Sequence, residues 1–346
     1  MFWTSESNGN AQCDILFSRS LDNGGTFSSP VNISNVPESC SAGAIAAVDP
    51  AGRVNVIWLS NNASVSFSRS VNQGASFSVP TSVSGVLQGA DVFNQQLGVN
   101  ARGEIAVAWE SDMLQTGEID VLFARSEDGH RFSAPVILNL PPVPSDGNGV
   151  GQPAVGVDRD GEVSVAWSDN SVQDVFFKRS KPEAVVFSNP LKLSNIGVTE
   201  AQEAVFQLIV NSQGDAYILW KAFAPFDFYF NRVPASASLA GDFRIQVTPK
   251  SETAAPGATL QLQVASVALG ANTDVVTLSC SSLPRSATCT FNPPSITVPS
   301  SAATSMLTLT IPATTAPGNY LFAVNGVGGS TIDTKTVALT VTAPGQ

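Results

Sequence analysis

The chain has a single histidine, His130, among 346 residues. One imidazole cannot build a histidine-rich zinc site, and its place in a surface turn excludes a Ser-His-Asp nucleophile. Charge is sparse too: Asp, Glu, Lys and Arg together make up 13% of the residues. Bases are the scarcer half, 17 against 28 acids, which leaves a net charge of −11. Residues 241–346 hold four acids and four bases, so the first 240 residues, with 24 acids and 13 bases, carry the whole imbalance. No basic cluster interrupts that acidic surface, so a nucleic-acid partner is not expected. No apolar run reaches the ~18 residues of a membrane helix. The opening, MFWTSESNGN, lacks the basic and apolar regions of a signal peptide.

Apolar residues are plentiful, at 43%, enough to fill a substantial core, and the length suggests two domains. Four cysteines fall into two close pairs, Cys13/Cys40 and Cys280/Cys289. An even count with local pairing favours disulfides and an oxidising compartment; buried free thiols are the alternative.

Five tryptophans, Trp3, Trp58, Trp109, Trp167 and Trp220, stand 55, 51, 58 and 53 residues apart. Four of them close one phrase: DPAGRVNVIW from Asp49, NARGEIAVAW from Asn100, DRDGEVSVAW from Asp158 and NSQGDAYILW from Asn211. A period near fifty with apolar alternation predicts an array of small β-sheets. After each Trp comes a loop and a third strand, such as DILFSRS at 14–20 or DVLFARS at 120–126. A turn follows: Ser20-x-Asp22-x-Gly24-x-x-Phe27, Ser70-x-Asn72-x-Gly74-x-x-Phe77, then Ser126-x-Asp128-Gly129-x-x-Phe132 with one residue lost. Asp or Asn can accept backbone N–H bonds inside such a turn, Gly permits positive φ, and the aromatic pins the turn to its sheet. Recurrence at equivalent places argues that these residues are structural.

This unit resembles the Asp-box, or BNR, repeat of sialidase-like β-propellers, with Phe in place of the usual Trp. The resemblance covers residues 1 to about 235 and implies four-stranded blades around a central channel, with the active site on the top face. About four and a half blades are present. The expectation is therefore a ring cut at its N-terminus from six blades, with any export signal upstream; a five-bladed ring sealed by its two partial blades competes. A sialidase holds its substrate with three top-face arginines, a Tyr nucleophile, a Glu partner and an Asp acid. Here Arg19, Arg69, Arg125, Arg179 and Arg232 end third strands, and Arg53, Arg102, Arg159 and Arg131 lie in turns, all at the bottom. Tyr217 and Tyr229 lie within strands. Arg232-Val233-Pro234 is similar to a sialidase motif but stands in the wrong place.

Carboxylates of the top loops remain as candidate catalytic groups: Glu110, Asp112, Glu118, Asp146, Asp169, Glu200 and Glu203. Two of them around a channel mouth would suit a glycosidase, while solvated loop acids are the plainer reading. Asp146-Gly-Asn148-Gly is similar to the start of a calcium loop but lacks its distal acid, so no cofactor is expected.

From about Asp242 the texture changes to short strands rich in Thr, Ser and Val, which predicts a β-sandwich over 239–346 after a propeller over 1–238. The segment LSCSSLPRSATCTFNPPSITV resembles Ig-like modules of secreted bacterial proteins, with Cys280–Cys289 stapling neighbouring strands. The expected function is a secreted propeller that binds glycans or a cell surface through its top loops; the alternative is a glycoside hydrolase using a carboxylate pair.

Overall fold

Each Asp/Asn-x-x-Gly turn is closed by its own first side chain. The Asp49 carboxylate accepts from the amides of Ala51 and Arg53, Asn100 from Arg102 and Glu104, Asp158 from Asp160 and Glu162, and Asn211 from Gln213 and Asp215. A computed structural model describes residues 1–6, 13–35, 40–85, 91–112, 119–139, 150–169, 174–180, 187–188, 190–194, 203–223, 226–236, 243–268, 275–297, 303–328 and 331–343. Among these residues every regular element is a β-strand.

The first sheet contains β1 (Phe2–Glu6), β2 (Cys13–Phe17) and β3 (Val31–Asn32). The second contains β4 (Ser41–Val48), β5 (Val54–Ser60), β6 (Ser64–Ser70) and β7 (Thr81–Ser82). The third contains β8 (Asp91–Val99), β9 (Ile105–Asp112), β10 (Asp120–Ser126) and β11 (Val136–Ile137). The fourth contains β12 (Val150–Val157), β13 (Val163–Asp169), β14 (Asp174–Arg179) and β15 (Leu191–Lys192). The fifth contains β16 (Glu203–Val210), β17 (Ala216–Phe223) and β18 (Phe226–Val233). Within each sheet the strands run antiparallel in chain order. Strands β4, β8, β12 and β16 each carry a register shift at the same level, after Ala42, Phe93, Gly151 and Val205.

Successive sheets pack face to face, and each tryptophan fills the joint with the sheet before it. Trp58 packs with Ile15 and Phe17, Trp109 with Ile57 and Phe67, Trp167 with Val121 and Phe123, and Trp220 with Val175 and Phe177. These four rings are buried, whereas Trp3 is half-buried. The fifth sheet leaves its far face open: Ile209, Leu219, Phe228 and Phe230 are all exposed there. The Cys13–Cys40 disulfide ties the first sheet to the second.

The remaining strands are β19 (Phe243–Thr248), β20 (Ser251–Ala254), β21 (Thr259–Ala268), β22 (Val275–Ser281), β23 (Thr288–Asn292), β24 (Ser295–Thr297), β25 (Thr304–Thr310), β26 (Gly318–Gly328) and β27 (Thr331–Val341). They pair as β19-β21-β25-β23 and β20-β27-β26-β22-β24 around one core that includes Phe243, Ile245, Leu307, Phe322 and Val337. The Cys280–Cys289 bridge forms, but it links β22 to β23, which belong to opposite sheets. The turn between these strands carries the chain from one sheet to the other, so the bridge crosses the sandwich instead of stapling paired neighbours. This sandwich leans on the third sheet. Leu321 and Ala323 join the cluster that holds Trp109, the Ile137 amide donates to Thr336 Oγ1 at 2.8 Å, and Ser282 Oγ donates to Asp120 Oδ2 at 2.6 Å.

Candidate functional site

The two ends of the sheets differ in chemistry. At one end the turns are knotted by their own side chains. The Asp22 carboxylate takes the Thr26 amide at 2.8 Å, the Thr26 hydroxyl at 2.7 Å and the Ser20 hydroxyl at 2.7 Å, while Ser20 Oγ accepts the Gly24 amide at 2.7 Å. The Thr26 side chain and then its amide hold the Asp22 carboxyl down to about 2. Ser70, Asn72, Gly74 and Ser76 repeat this pattern, and Ser126, Asp128 and Gly129 form a tighter version in which Asp128 takes the amides of His130 and Arg131. The turn phenylalanine does not rest on its own sheet. Phe77 meets Phe17, Phe132 meets Phe67 and Phe187 meets Phe123, each edge to face at 5.0–5.2 Å on the preceding sheet. Phe27 stands 54% exposed.

The third-strand arginines bind the opposite way, to the following sheet. Arg19 donates to Gln73 O at 2.8 Å. Arg69 donates to Asp128 O at 2.7 Å and Gly103 O at 2.6 Å, so the two kinds of turn lie at one end of the sheets. Arg125 reaches Gly161 O, and Arg179 reaches Gly214 O and Pro234 O. Gly103 and Gly129, at φ of +84° and +74°, occupy the left-handed region that favours glycine, and a Cβ there would fall 2.1 Å from the Arg53 guanidinium or 2.6 Å from that of Arg69. These guanidiniums are committed to carbonyls and do not form a substrate clamp. Replacing Arg69 with Met is expected to lower stability by about 3 kcal/mol in urea unfolding, because two buried acceptors, Asn55 Oδ1 and Gly103 O, and the part-buried Asp128 O lose a charged donor. A loss below about 1 kcal/mol would contradict the stitching account.

The other end gathers acids. Glu110 and Asp112 were expected in a loop, as was Asp169. Instead β9 and β13 continue past their tryptophans, because Glu110 and Ser111 pair with Val121 and Asp120, and Asp169 pairs with Asp174. Glu110 lies on the face of β9 that carries Ala106 and Ala108 against the fourth sheet, and Asp112 follows two residues on. Asp169 lies on the face of β13 that carries Val165 and Trp167 against the third. All three acids therefore belong to the upper rim of one joint.

Glu110 is 2% exposed and Asp169 is 7% exposed. Burial pushes the Glu110 carboxyl up to about 7, against the pull of the Asn94 amide and the Gln152 backbone N–H. Asn94 Nδ2 donates to Glu110 Oε2 at 3.0 Å. Glu110 Oε1, Ser111 Oγ and Asp112 Oδ1, on three successive residues, are buried with no hydrogen-bond partner. Such orphaned polar atoms are uncommon in proteins, and those of Glu110 and Asp112, which share one face of β9, mark a place where a ligand or water can bind. The sequence signal was slight: a polar triplet, Glu110-Ser111-Asp112, directly after the buried tryptophan. Glu118, Asp146 and Glu200 lie outside the described residues, as do the side chain of Glu203 and the Asp146–Asn148 stretch. Among the described residues no cluster of three metal-ligating side chains occurs, and no helix is long and apolar enough to cross a membrane.

No family model and no curated protein matches the chain. Solved structures with partial likeness include the intramolecular trans-sialidase of Ruminococcus gnavus, at 14% identity and TM-score 0.42 over 65% of this chain and 51% of that one. The chain thus spans about half the length of that enzyme. A protein of unknown function from Dyadobacter fermentans aligns at 12% identity and TM-score 0.44, over 89% of this chain and 86% of its own. The α-L-arabinanase of Penicillium chrysogenum aligns at 12% identity and TM-score 0.38, over 87% and 93% of the two chains. Superpositions this loose carry no argument about activity.

Proposed function

We propose that residues 1–238 are an Asp-box propeller of sialidase-like design, that residues 239–346 are an Ig-like sandwich, and that the molecule is a secreted protein which binds a glycan or cell-surface component. Its binding site is the upper rim of the joint between the third and fourth sheets. The observation that carries this reading is the pair of unpartnered buried carboxylate oxygens at Glu110 and Asp112, which share the face of β9 turned to the fourth sheet. Sugar hydroxyls both donate and accept, and they match a set of carboxylate and hydroxyl oxygens. Two disulfides fit an oxidising compartment. The committed third-strand arginines weigh against sialic-acid hydrolysis.

A glycan array probed with the full chain tests the reading. Saturable binding to a defined glycan, weakened at least 10-fold in Asp112→Asn, is the expected result. Binding that is absent, or unchanged by that substitution in a folded protein, overturns it. A second reading, hydrolysis, draws on the Glu110 carboxyl, which keeps a proton near neutral pH as a general acid must. Turnover of a chromogenic glycoside that disappears in Glu110→Gln would replace binding with catalysis.

A further inference from the structure

A second site lies away from that rim, where the sandwich meets β11 of the third sheet and β14 of the fourth. A cavity of about 480 Å³ opens there. That size falls within the ~300–1,000 Å³ typical of pockets for small organic molecules. Its walls are largely apolar, with Phe187 on one side and Leu321 on the other. Its charge is unlike that of the chain. Lys178, Arg244, Lys250 and Lys335 line it against one carboxylate, Asp333, so four cations less one anion leave +3. The whole molecule carries −11.

The carboxylate is already occupied. Asp333 Oδ2 accepts the Ile245 amide at 2.6 Å, and Oδ1 accepts the Lys335 ammonium. Lys178, by contrast, is 4% exposed and makes no hydrogen bond or ion pair with the described residues. A buried ammonium without a partner is costly, and proteins keep one where an anion completes it. Residue 178 also breaks the pattern of its strand. Third strands place Ser18, Ser68, Ala124 and Asn231 at the equivalent position, so the cation belongs to the fourth sheet alone.

We propose that this cavity binds a small organic anion, a carboxylate on an apolar acyl or aryl body, with Lys178 as its charge partner and the apolar wall as the bed for its tail. Arg244 and Lys250, both exposed, form the rim that draws the anion in. Desolvation brings the Lys178 ammonium down to about 8, with Asp333 opposing and Lys335 assisting. Affinity therefore holds below pH 8 and falls above it, as the ammonium loses its proton. The site stands independently of the glycan reading, since it shares no residue with the rim.

Titration calorimetry of the full chain with octanoate is the test, with octanol as the neutral body and inorganic phosphate as the bodiless anion. One saturable octanoate site is expected, with octanol and phosphate each at least 10-fold weaker. Lys178→Met weakens octanoate at least 10-fold while the melting temperature holds or rises, because an unpaired charge has been removed. Arg244→Glu, at the exposed rim, gives a second reading without touching the buried position and weakens binding several-fold. Absence of an octanoate site overturns the proposal. So does octanol binding as tightly as octanoate, or octanoate affinity that both variants leave unchanged.

Discussion

Trp109→Ala is expected to lower the unfolding free energy by about 3–5 kcal/mol, the cost typical of deleting a large buried aromatic. The ring is fully buried among Ile57, Phe67 and Leu122, and the same cluster takes in Leu321 and Ala323 from the sandwich. Its removal thus opens a void shared by three packed layers, and neighbouring strands cannot collapse into it without shifting two sheets. The indole Nε1 has no hydrogen-bond partner, so the loss is one of packing, and Trp109→Phe recovers most of it. Trp3→Ala supplies the comparison. That ring sits at the same place in its repeat but is only half-buried, and its loss costs distinctly less. Urea unfolding of the three variants checks the series. Equal losses for Trp3→Ala and Trp109→Ala would mean that the joint between sheets contributes little.

Glu110→Gln is expected to stabilise the protein above pH 7, by about 3 kcal/mol, and to leave it almost unchanged below pH 4.5. The folded state raises this carboxyl from 4.5 to about 7, a shift of roughly 2.5 units at ~1.4 kcal/mol each. A raised carboxyl prefers to keep its proton in the folded state. Its contribution is therefore fully present below the unfolded value of 4.5 and is lost as pH rises to about 7. Above that point the native state holds a buried carboxylate that the Asn94 amide and the Gln152 backbone N–H only partly offset. Glutamine keeps an oxygen for that amide and has no charge to bury. Unfolding free energies measured from pH 4 to pH 9 test this: the wild-type and variant curves diverge with rising pH. Parallel curves would show that Glu110 titrates as a solvated side chain.

The repeat was legible because its signals are local. An Asp49 or Asn100 side chain closes a turn within five residues, and alternation into Trp58 or Trp109 follows from the two-residue period of a strand. What was not legible is what one sheet does to the next. Phe77 looks like an anchor for its own turn, yet it packs on Phe17, 60 residues earlier. Arg69 reads as a strand end, yet it holds Asp128, 59 residues later. The repeat places Glu110 at the start of the loop that follows the tryptophan strand. Pairing with Val121 keeps it in the strand and buries it. The Lys178 cavity lay wholly out of reach, since its walls join residues 133–138 to residues 244–250 and 333–338.

The joint between sheets also has a direction. One partner offers a tryptophan and a turn phenylalanine; the other offers a strand phenylalanine and an arginine. The first sheet keeps the former half unused, with Phe27 exposed and Trp3 half-covered. The fifth shows the latter half: Phe230 is 64% exposed, and Arg232 turns back to Asp215 at 2.7 Å. Plug and socket thus stand at opposite ends of one row.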